Sequence, residues 1–470
     1  MKSTERRACP RASCDNKGVM PVPRPVIPTG TQVQWAPSTR LFGARYLGGG
    51  APWRLVKLSG IAIDAVARWQ RGGDVRSGEE ALARTLCDAG LLLASYEIST
   101  PTVDIVIPYA GHPRDAERLA TQCAGHNVTL VRDGVGQAAR HENLVNLEEN
   151  RGPGAARNAG AARGERDLIL FLDDDVTVDD IDHLVNTLAS HFIDPTVSAV
   201  APRIVGSDDP STRGRFERDH SPLDLGALSA RVHPQGAVAY VPSAALMVRR
   251  SHFTGFDETL RTGEDVDFIW RLIAGGSSVL YDARTRVGHR ARSSWSTWLS
   301  QRVSYGQSAS ALATRHPGAY AALRLDATLT GGLLSMALAP WRSVLGIWTT
   351  LERRYVRQLP DDPEVARELA RFAMWHHSRG LARGLMRSYL PLVLLALFPK
   401  RTRRLATLIV GLSFVGRITS LGDLRDVPLM IADDAAYSTG VWRGVWRTKS
   451  LAAVRPAITW PSERRALKSE

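Results

Sequence analysis

Apolar residues along this chain recur in two rhythms. Between about 99 and 290 they come in short, β-branched runs: TVDIVIP at 102–108, VTLV at 128–131 and DLILFL at 167–172. Continuous runs this short predict strands buried on both faces. Pro108 is expected to end the first of them. Helical spacing fills the intervals, over 113–124 and 153–164. Strands alternating with helices predict an α/β fold with a mostly parallel sheet covered on both faces. Ligands of such sheets bind at the carboxyl ends of the strands. The second strand ends in Asp133-Gly134 and the third in Asp173–Asp175, which places acids at that edge.

Residues 52–94 have a different rhythm. Ile61, Ala65, Val66 and Trp69 recur at helical spacing, and Ser77 with Glu80 reads as a capping box for a second helix over 78–89, stopped by Gly90. Strand, helix, helix, short strand is the plan of a small winged-helix module. It holds no cluster of catalytic residue types, so a structural or docking role is expected. Upstream, the Pro-, Arg- and Ser-rich segment to about residue 35 reads as a loose tail. This divides the chain into a tail (1–35), a winged-helix module (36–98), an α/β domain (99–320) and a helical, apolar C-terminal region (321–470).

Three segments of that last region carry no charge: 327–341, 388–399 and 405–416. Each is shorter than the roughly 20 residues that a spanning helix needs. Arg379, Arg383 and Arg387 share one helix face, KRTRR follows at 400–404, and no acid lies between His376 and Arg404. A basic face beside apolar helices predicts an element lying on an anionic membrane, with a re-entrant hairpin over 386–416 as one form of it; an ordinary amphipathic helical domain packed on the α/β domain is the plainer alternative.

Length and charge sharpen this picture. With 470 residues the chain is too long for one core, and its net charge of +13 calls for an anionic partner. Segment 52–94 has six basic residues against five acidic and no basic stripe, which argues against nucleic-acid binding there. The four cysteines, Cys9, Cys14, Cys87 and Cys123, lack metal-ligand spacing and are expected to be reduced and unpaired. The N-terminus is basic without an apolar segment, so a secretory signal is not expected, and the cytoplasmic face of the cell membrane is the expected location.

The acids carry the chemistry. Three aspartates at a strand end can hold a divalent cation, Mg or Mn, against a phosphate-bearing ligand; a solvated acidic turn is the plainer alternative. NRGPGAARNAGAARG at 150–164 puts small residues and Arg157 at a helix start, which suits a phosphate and equally suits tight packing on the sheet. Gly263-Glu264-Asp265 opens another helix and offers a general base or a plain helix-capping acid. His289 ends a later strand, where metal ligation and a structural role are equally open.

In this order, VIPYAG, Asp133, NRGPGAARNAGAARG, FLDDDV, SAALMVRR, GFDE, GEDVDF and VGH resemble the family 2 glycosyltransferases from about 101 to 310. The resemblance implies a GT-A (Rossmann-like) catalytic domain, a UDP-sugar donor and single-displacement inversion. It implies that Pro108, Tyr109, Asp133, Arg157, Asp173 and Asp174 bind the donor, that Asp175 and His289 hold the metal, and that Asp265 is the base with Glu264 contacting the acceptor. Processive members carry Gln-x-x-Arg-Trp after the histidine; WSTWLSQRVSYGQSA here lacks it, which argues against a membrane polysaccharide synthase. The 52–94 segment resembles PqqD-like peptide-recognition modules. The combination implies glucose transfer to a peptide-derived redox-cofactor precursor. A catalytically idle peptide-docking scaffold, and a transferase for lipid or polysaccharide acceptors, are the alternatives.

Overall fold

The computed structural model describes residues 24–97, 101–206, 209–290, 294–338 and 341–459; Cys9, Cys14 and most of the expected tail lie outside them. The first elements are β1 (Gln32–Trp35), β2 (Arg40–Phe42), β3 (Tyr46–Gly49), β4 (Arg54–Lys57), α1 (Gly60–Gln70), β5 (Gly73–Asp74), α2 (Glu80–Asp88) and β6 (Leu92–Ser95). Gln32–Trp35 is not tail. It is the central strand of the sheet β5-β1-β6, and Val33 packs on Ala62, Ala65, Val66 and Trp69 of α1 and on Leu86 of α2. Ile61 overhangs this core and is 88% exposed. The expected Ser77 cap does not form; Glu80 instead accepts the Gly78 N–H at 2.7 Å and Glu79 the Arg76 N–H at 2.9 Å.

The central unit comprises β7 (Val103–Tyr109), α3 (Arg114–Gln122), β8 (Asn127–Asp133), β9 (Leu144–Leu147), α4 (Pro153–Ala161), β10 (Leu168–Leu172), β11 (Val176–Thr177), α5 (Ile181–Ser190), β12 (Val197–Gly206), α6 (Thr212–His220), β13 (Ala230–Arg231), β14 (Ala245–Arg249), α7 (Glu264–Ala274), β15 (Ser278–His289) and α8 (Trp295–Arg315). The sheet order is β11-β15-β12-β14-β10-β7-β8-β9, with β13 added on β15. Strands β7, β8, β9, β10, β12 and β15 run one way; β14 and the two-residue β11 and β13 oppose them. The mostly parallel α/β sheet is as expected, and so is its burial on both faces. Ile105, Ile107, Leu168, Leu170 and Leu172 pack on α3 and α5, while the alternating Val106, Ile169 and Phe171 pack under α4 and α7. Pro108 does not end its strand: β7 continues through Pro108 and Tyr109. Pairing with β10 stops at Val106, so the missing N–H falls beyond that ladder, while β8 still runs alongside.

The C-terminal elements are β16 (Arg324–Asp326), α9 (Ala327–Leu338), α10 (Trp341–Gln358), α11 (Pro363–Ala396), α12 (Lys400–Phe414), α13 (Val427–Thr448) and β17 (Ala457–Thr459). Among the described residues no helix is long and apolar enough to cross a membrane. Helix α11 bends at Tyr389 (φ −126°, ψ 24°), where Pro391 interrupts the hydrogen-bond ladder. Helix α12 folds back along it, with Ile409 and Val410 on Met386, Leu390 and Val393. The arginine stripe is turned only partly toward the protein: Arg379 and Arg387 are half-buried and Arg383 is exposed. Arg379 donates to the Val415 carbonyl at 2.8 Å, Arg387 stacks 4.1 Å over Tyr437, and Arg383 and Arg387 line an internal cleft. The acids that turn this face inward, Asp433 and Asp434, come from α13, more than forty positions away in sequence.

Candidate active site

A cavity of about 1470 Å³ opens along the carboxyl ends of β10, β12 and β15. Glycine governs its approach from the sequence side. Gly263, at φ +84°, turns the chain into α7 so that Glu264 and Asp265 fill the first helical turn. Gly160 lets α4 lie flat on the sheet: a Cβ there would sit 2.3 Å from Val106 Cγ1 and 2.9 Å from Val131 Cγ2. The small-residue run at 150–164 is therefore a packing device, and it delivers Arg157 to the cavity.

Arg157 is 3% exposed. It donates to Asp173 Oδ1 at 2.5 Å and to Glu264 Oε1 at 3.0 Å, and stacks 5.6 Å over Phe256. Burial alone would lower its pKa; the Asp173 and Glu264 carboxylates outweigh that and raise it. Arg157, expected on a phosphate, bridges β10 and α7 here, and Glu264, expected on the acceptor, is one of its two partners.

Asp265 stands beside this bridge and faces the cavity. Its Oδ1 accepts the Val266 N–H at 2.8 Å. Burial, and then the neighbouring Glu264 charge, push its carboxyl up to about 7 against the opposing pull of the Val266 N–H and Arg157. A carboxyl poised near neutrality in a cleft has the properties of a general base.

Residues Asp175 and His289 meet because β11 pairs with β15, Val176 opposite His289. His289 Nε2 lies 3.3 Å from Asp175 Oδ1. Asp174 is pushed up to about 7 by burial, then by Asp175 and Asp173. Among the described residues no three His, Cys, Asp or Glu converge as a complete metal cage. One carboxylate and one imidazole make a partial donor set, which fits a cation whose remaining positions are filled by phosphate oxygen and water.

The other expected donor residues lie at the ends of β7 and β8. Asp133 accepts the Arg151 and Gly152 N–H groups at 2.7 and 2.8 Å, fixing the entry to α4. Tyr109 is buried; its hydroxyl accepts the Ala139 N–H at 2.8 Å and donates to the Gln137 carbonyl at 3.3 Å. Pro108, Tyr109, Asp133, Asp174 and Asp175 do not line the large cavity, whereas Arg157, Asp173, Glu264, Asp265 and His289 do. Sequence reasoning missed the opposite wall: Tyr240, Gln301, Ser304 and Tyr305, with Arg383, Arg387 and Tyr437 from the C-terminal helices and Arg417 from the turn after α12. The arginine stripe was the visible signal for part of it.

The chain is similar in sequence to known glycosyltransferases. The profile for glycosyl transferase family 2 matches residues 138–254. A pre-mycofactocin glycosyltransferase of Mycobacterium tuberculosis (strain H37Rv) is 33% identical over 470 residues, covering 92% of this chain and 98% of the relative. The succinoglycan biosynthesis protein ExoU of Rhizobium meliloti is 31% identical over 165 residues, 31% of this chain and 43% of that one. Among solved structures, the mannosyltransferase PcManGT of Pyrobaculum calidifontis, in complex with GDP-Man and Mn2+, aligns at a TM-score of 0.40 with 12% identity, over 75% of this chain and 90% of that one.

Proposed function

Since the chain belongs to the family 2 glycosyltransferases, among the pre-mycofactocin glycosyltransferases, we propose that it moves glucose from UDP-glucose onto a peptide-derived redox-cofactor precursor, pre-mycofactocin, with inversion at the sugar carbon. One observation carries the reading: Asp265, Asp173 and His289 open onto one cavity, and Asp265 is tuned for proton abstraction. In this mechanism Asp265 takes the proton of the acceptor hydroxyl. That oxygen attacks the anomeric carbon from the face opposite the diphosphate, the bond from carbon to diphosphate oxygen breaks, and UDP leaves. Arg157 positions Asp173 and Glu264 on either side of the reacting groups. Pro108, Tyr109, Asp133, Asp173 and Asp174, at the ends of β7, β8 and β10, form the donor side. Asp175 and His289 would hold a Mg or Mn ion, which when bound neutralises charge on the leaving diphosphate.

We assign the catalytic unit the GT-A fold, and the unit of β1, α1, α2, β5 and β6 a PqqD-like winged-helix role in recognising the peptide part of the acceptor. We place the enzyme peripherally on the cytoplasmic face of the membrane. The contact is the tip of the α11–α12 hairpin, where Leu394, Leu395 and Phe398 are 48%, 64% and 77% exposed beside exposed Lys400, Arg401, Arg403 and Arg404. Vesicles of phosphatidylserine should sediment the protein, those of phosphatidylcholine should not, and Phe398→Ser with Arg403→Ser should abolish the difference. Equal sedimentation of wild type and variant removes the membrane from the reading.

The test of the function is calorimetric. UDP-glucose, with GDP-mannose as control, is titrated with and without Mn2+ into wild type, Asp175→Ala and Asp265→Asn. Metal-dependent UDP-glucose binding should be lost in Asp175→Ala and kept in Asp265→Asn. Transfer by Asp265→Asn should fall on the order of 10²–10⁴-fold. Undiminished turnover in either variant would overturn the assignment.

A further inference from the structure

The carboxyl edge of the sheet carries an ion pair that the mechanism does not use. Arg290 follows His289 at the end of β15, and Asp115 lies in the first turn of α3, just after β7. Arg290 donates through both terminal nitrogens, to Asp115 Oδ2 at 2.9 Å and to Oδ1 at 2.8 Å. In the sheet β12, β14 and β10 lie between β15 and β7, so the pair spans the end of β10, where Asp173–Asp175 stand. The Arg290 N–H donates to the Asp175 carbonyl at 3.1 Å, which roots the side chain beside that cluster. Like Pro108, Tyr109, Asp133, Asp174 and Asp175, neither partner lines the large cavity. The pair thus belongs to the side of the cluster where the donor is proposed to bind, not to the cleft that Asp265 faces.

The neighbouring charges are otherwise engaged. Asp173 accepts from Arg157, and Asp175 lies 3.3 Å from His289. Arg118, 4.0 Å from Asp115, donates to the Val176 carbonyl at 3.0 Å. Arg290 is within electrostatic reach of Asp174 and Asp175, yet its terminal nitrogens are both turned to Asp115. The two side chains of the pair are 48% and 35% exposed. An ion pair this open to water is weak and readily exchanged. A diphosphate offers the same planar fork two oxygens and more charge, so it outcompetes one carboxylate.

We propose that Arg290 is a further donor-binding residue, a clamp for the diphosphate, and that Asp115 is its latch. In the free enzyme Asp115 holds the guanidinium. A bound diphosphate takes it over, Asp115 is released to solvent, and the arginine neutralises charge on the leaving group. The clamp deepens the transferase reading and rests on it for the word donor, though not for the binding of a diphosphate.

The experiment uses the full chain as wild type, Arg290→Gln, Asp115→Asn and the double variant. UDP, inorganic pyrophosphate and uridine are titrated calorimetrically in the presence of Mg2+. Arg290→Gln should weaken UDP and pyrophosphate at least about tenfold, the loss of charged hydrogen bonds, and leave uridine unchanged. Asp115→Asn should act in the opposite sense and tighten both by about two- to fivefold, because an exposed pair no longer has to be broken. In the double variant that gain should vanish, because no guanidinium is left to release. UDP binding equal in wild type and Arg290→Gln overturns the clamp. So does a loss of uridine binding as large as that of UDP, because the substitution has then distorted the whole pocket. Tighter UDP binding that persists when Asp115→Asn is added to Arg290→Gln overturns the latch, since Asp115 then repels the ligand by its own charge. Unchanged or weaker UDP binding by Asp115→Asn does the same. If wild type binds pyrophosphate with the expected order of variants but neither UDP nor uridine, the UDP-sugar reading fails and the clamp stands. If it binds none of the three, both fall.

Discussion

At the scale of single residues, the acids and arginines were legible in the sequence, and the partners of the arginines were not. Strand ends and helix starts are marked locally by Asp-Asp-Asp and Gly-Glu-Asp, and the sheet topology brings them to one edge. A guanidinium reaches far, and which carboxylate it meets depends on elements distant in the chain; Arg157 finds Glu264 across 107 positions. The same environment gives Asp265 a testable pH dependence. Its neighbours are Glu264, Arg157, Tyr240 and the backbone at Val266 and Ser243. A base must be ionised, so log kcat should climb with pH and level off near the value of about 7 to which Asp265 is raised. Glu264→Gln removes the like charge and should shift that limb to lower pH, while costing activity through the loosened Arg157. A limb unmoved by Glu264→Gln would show that another group controls the rate. Stability runs the other way. The folded state holds this proton more tightly than the unfolded chain, so stability falls as pH rises from about 4 to about 7. Asp265→Asn should therefore melt higher than wild type at pH 8, with the gain shrinking toward pH 4.

At the scale of elements, the strands and helices of the central unit follow from hydrophobic runs, because buried parallel strands have no polar face to blur the pattern. Local rules failed where tertiary contacts intervene. Gln32–Trp35 is too short and too polar to announce itself, yet it is tied by pairing to both β5 and β6. The Ser77 cap lost to the turn at Gly78, whose φ of +91° directs its N–H to Glu80 instead. The small-residue helix α4 shows the reverse, a sequence feature whose packing meaning is fully realised. Gly160→Ala drives a methyl group into Val106 and should cost about 1–3 kcal/mol in denaturant midpoint analysis. Trimming the neighbour in Gly160→Ala/Val106→Ala should recover part of that loss relative to the sum of the single changes. Strict additivity would mean that α4 shifts as a body and that Val106 does not set its height.

At the scale of the whole molecule, the sequence shows three compositional regions after the tail but not how they close on one another. The first region grips the others through residues with no local pattern. Phe42 and Tyr46 pack on Val365 and Leu369 of α11, Trp53 stacks on Phe372 with ring centroids 5.7 Å apart, and the Tyr46 hydroxyl donates to Asp362 at 2.7 Å. On the other side Arg84 of α2 reaches Asp194, just before β12, at 2.7 Å, with both side chains less than a tenth exposed. That ion pair joins the N-terminal unit to the sheet on which the candidate active site stands. Breaking one half of a buried pair leaves the other charge uncompensated, which costs about 3–5 kcal/mol, whereas removing both charges costs far less. Asp194 also accepts from the Thr196 N–H and hydroxyl at 2.9 and 2.8 Å, so its stranded charge keeps some support and the lower end of that range applies. Arg84→Met should lower the melting temperature, and Arg84→Met/Asp194→Asn should restore most of it. If the first unit presents the acceptor, the single variant should also raise the acceptor KM while UDP-glucose binding holds. An Arg84→Met protein as stable as wild type would mean that the α11 contacts alone carry the attachment.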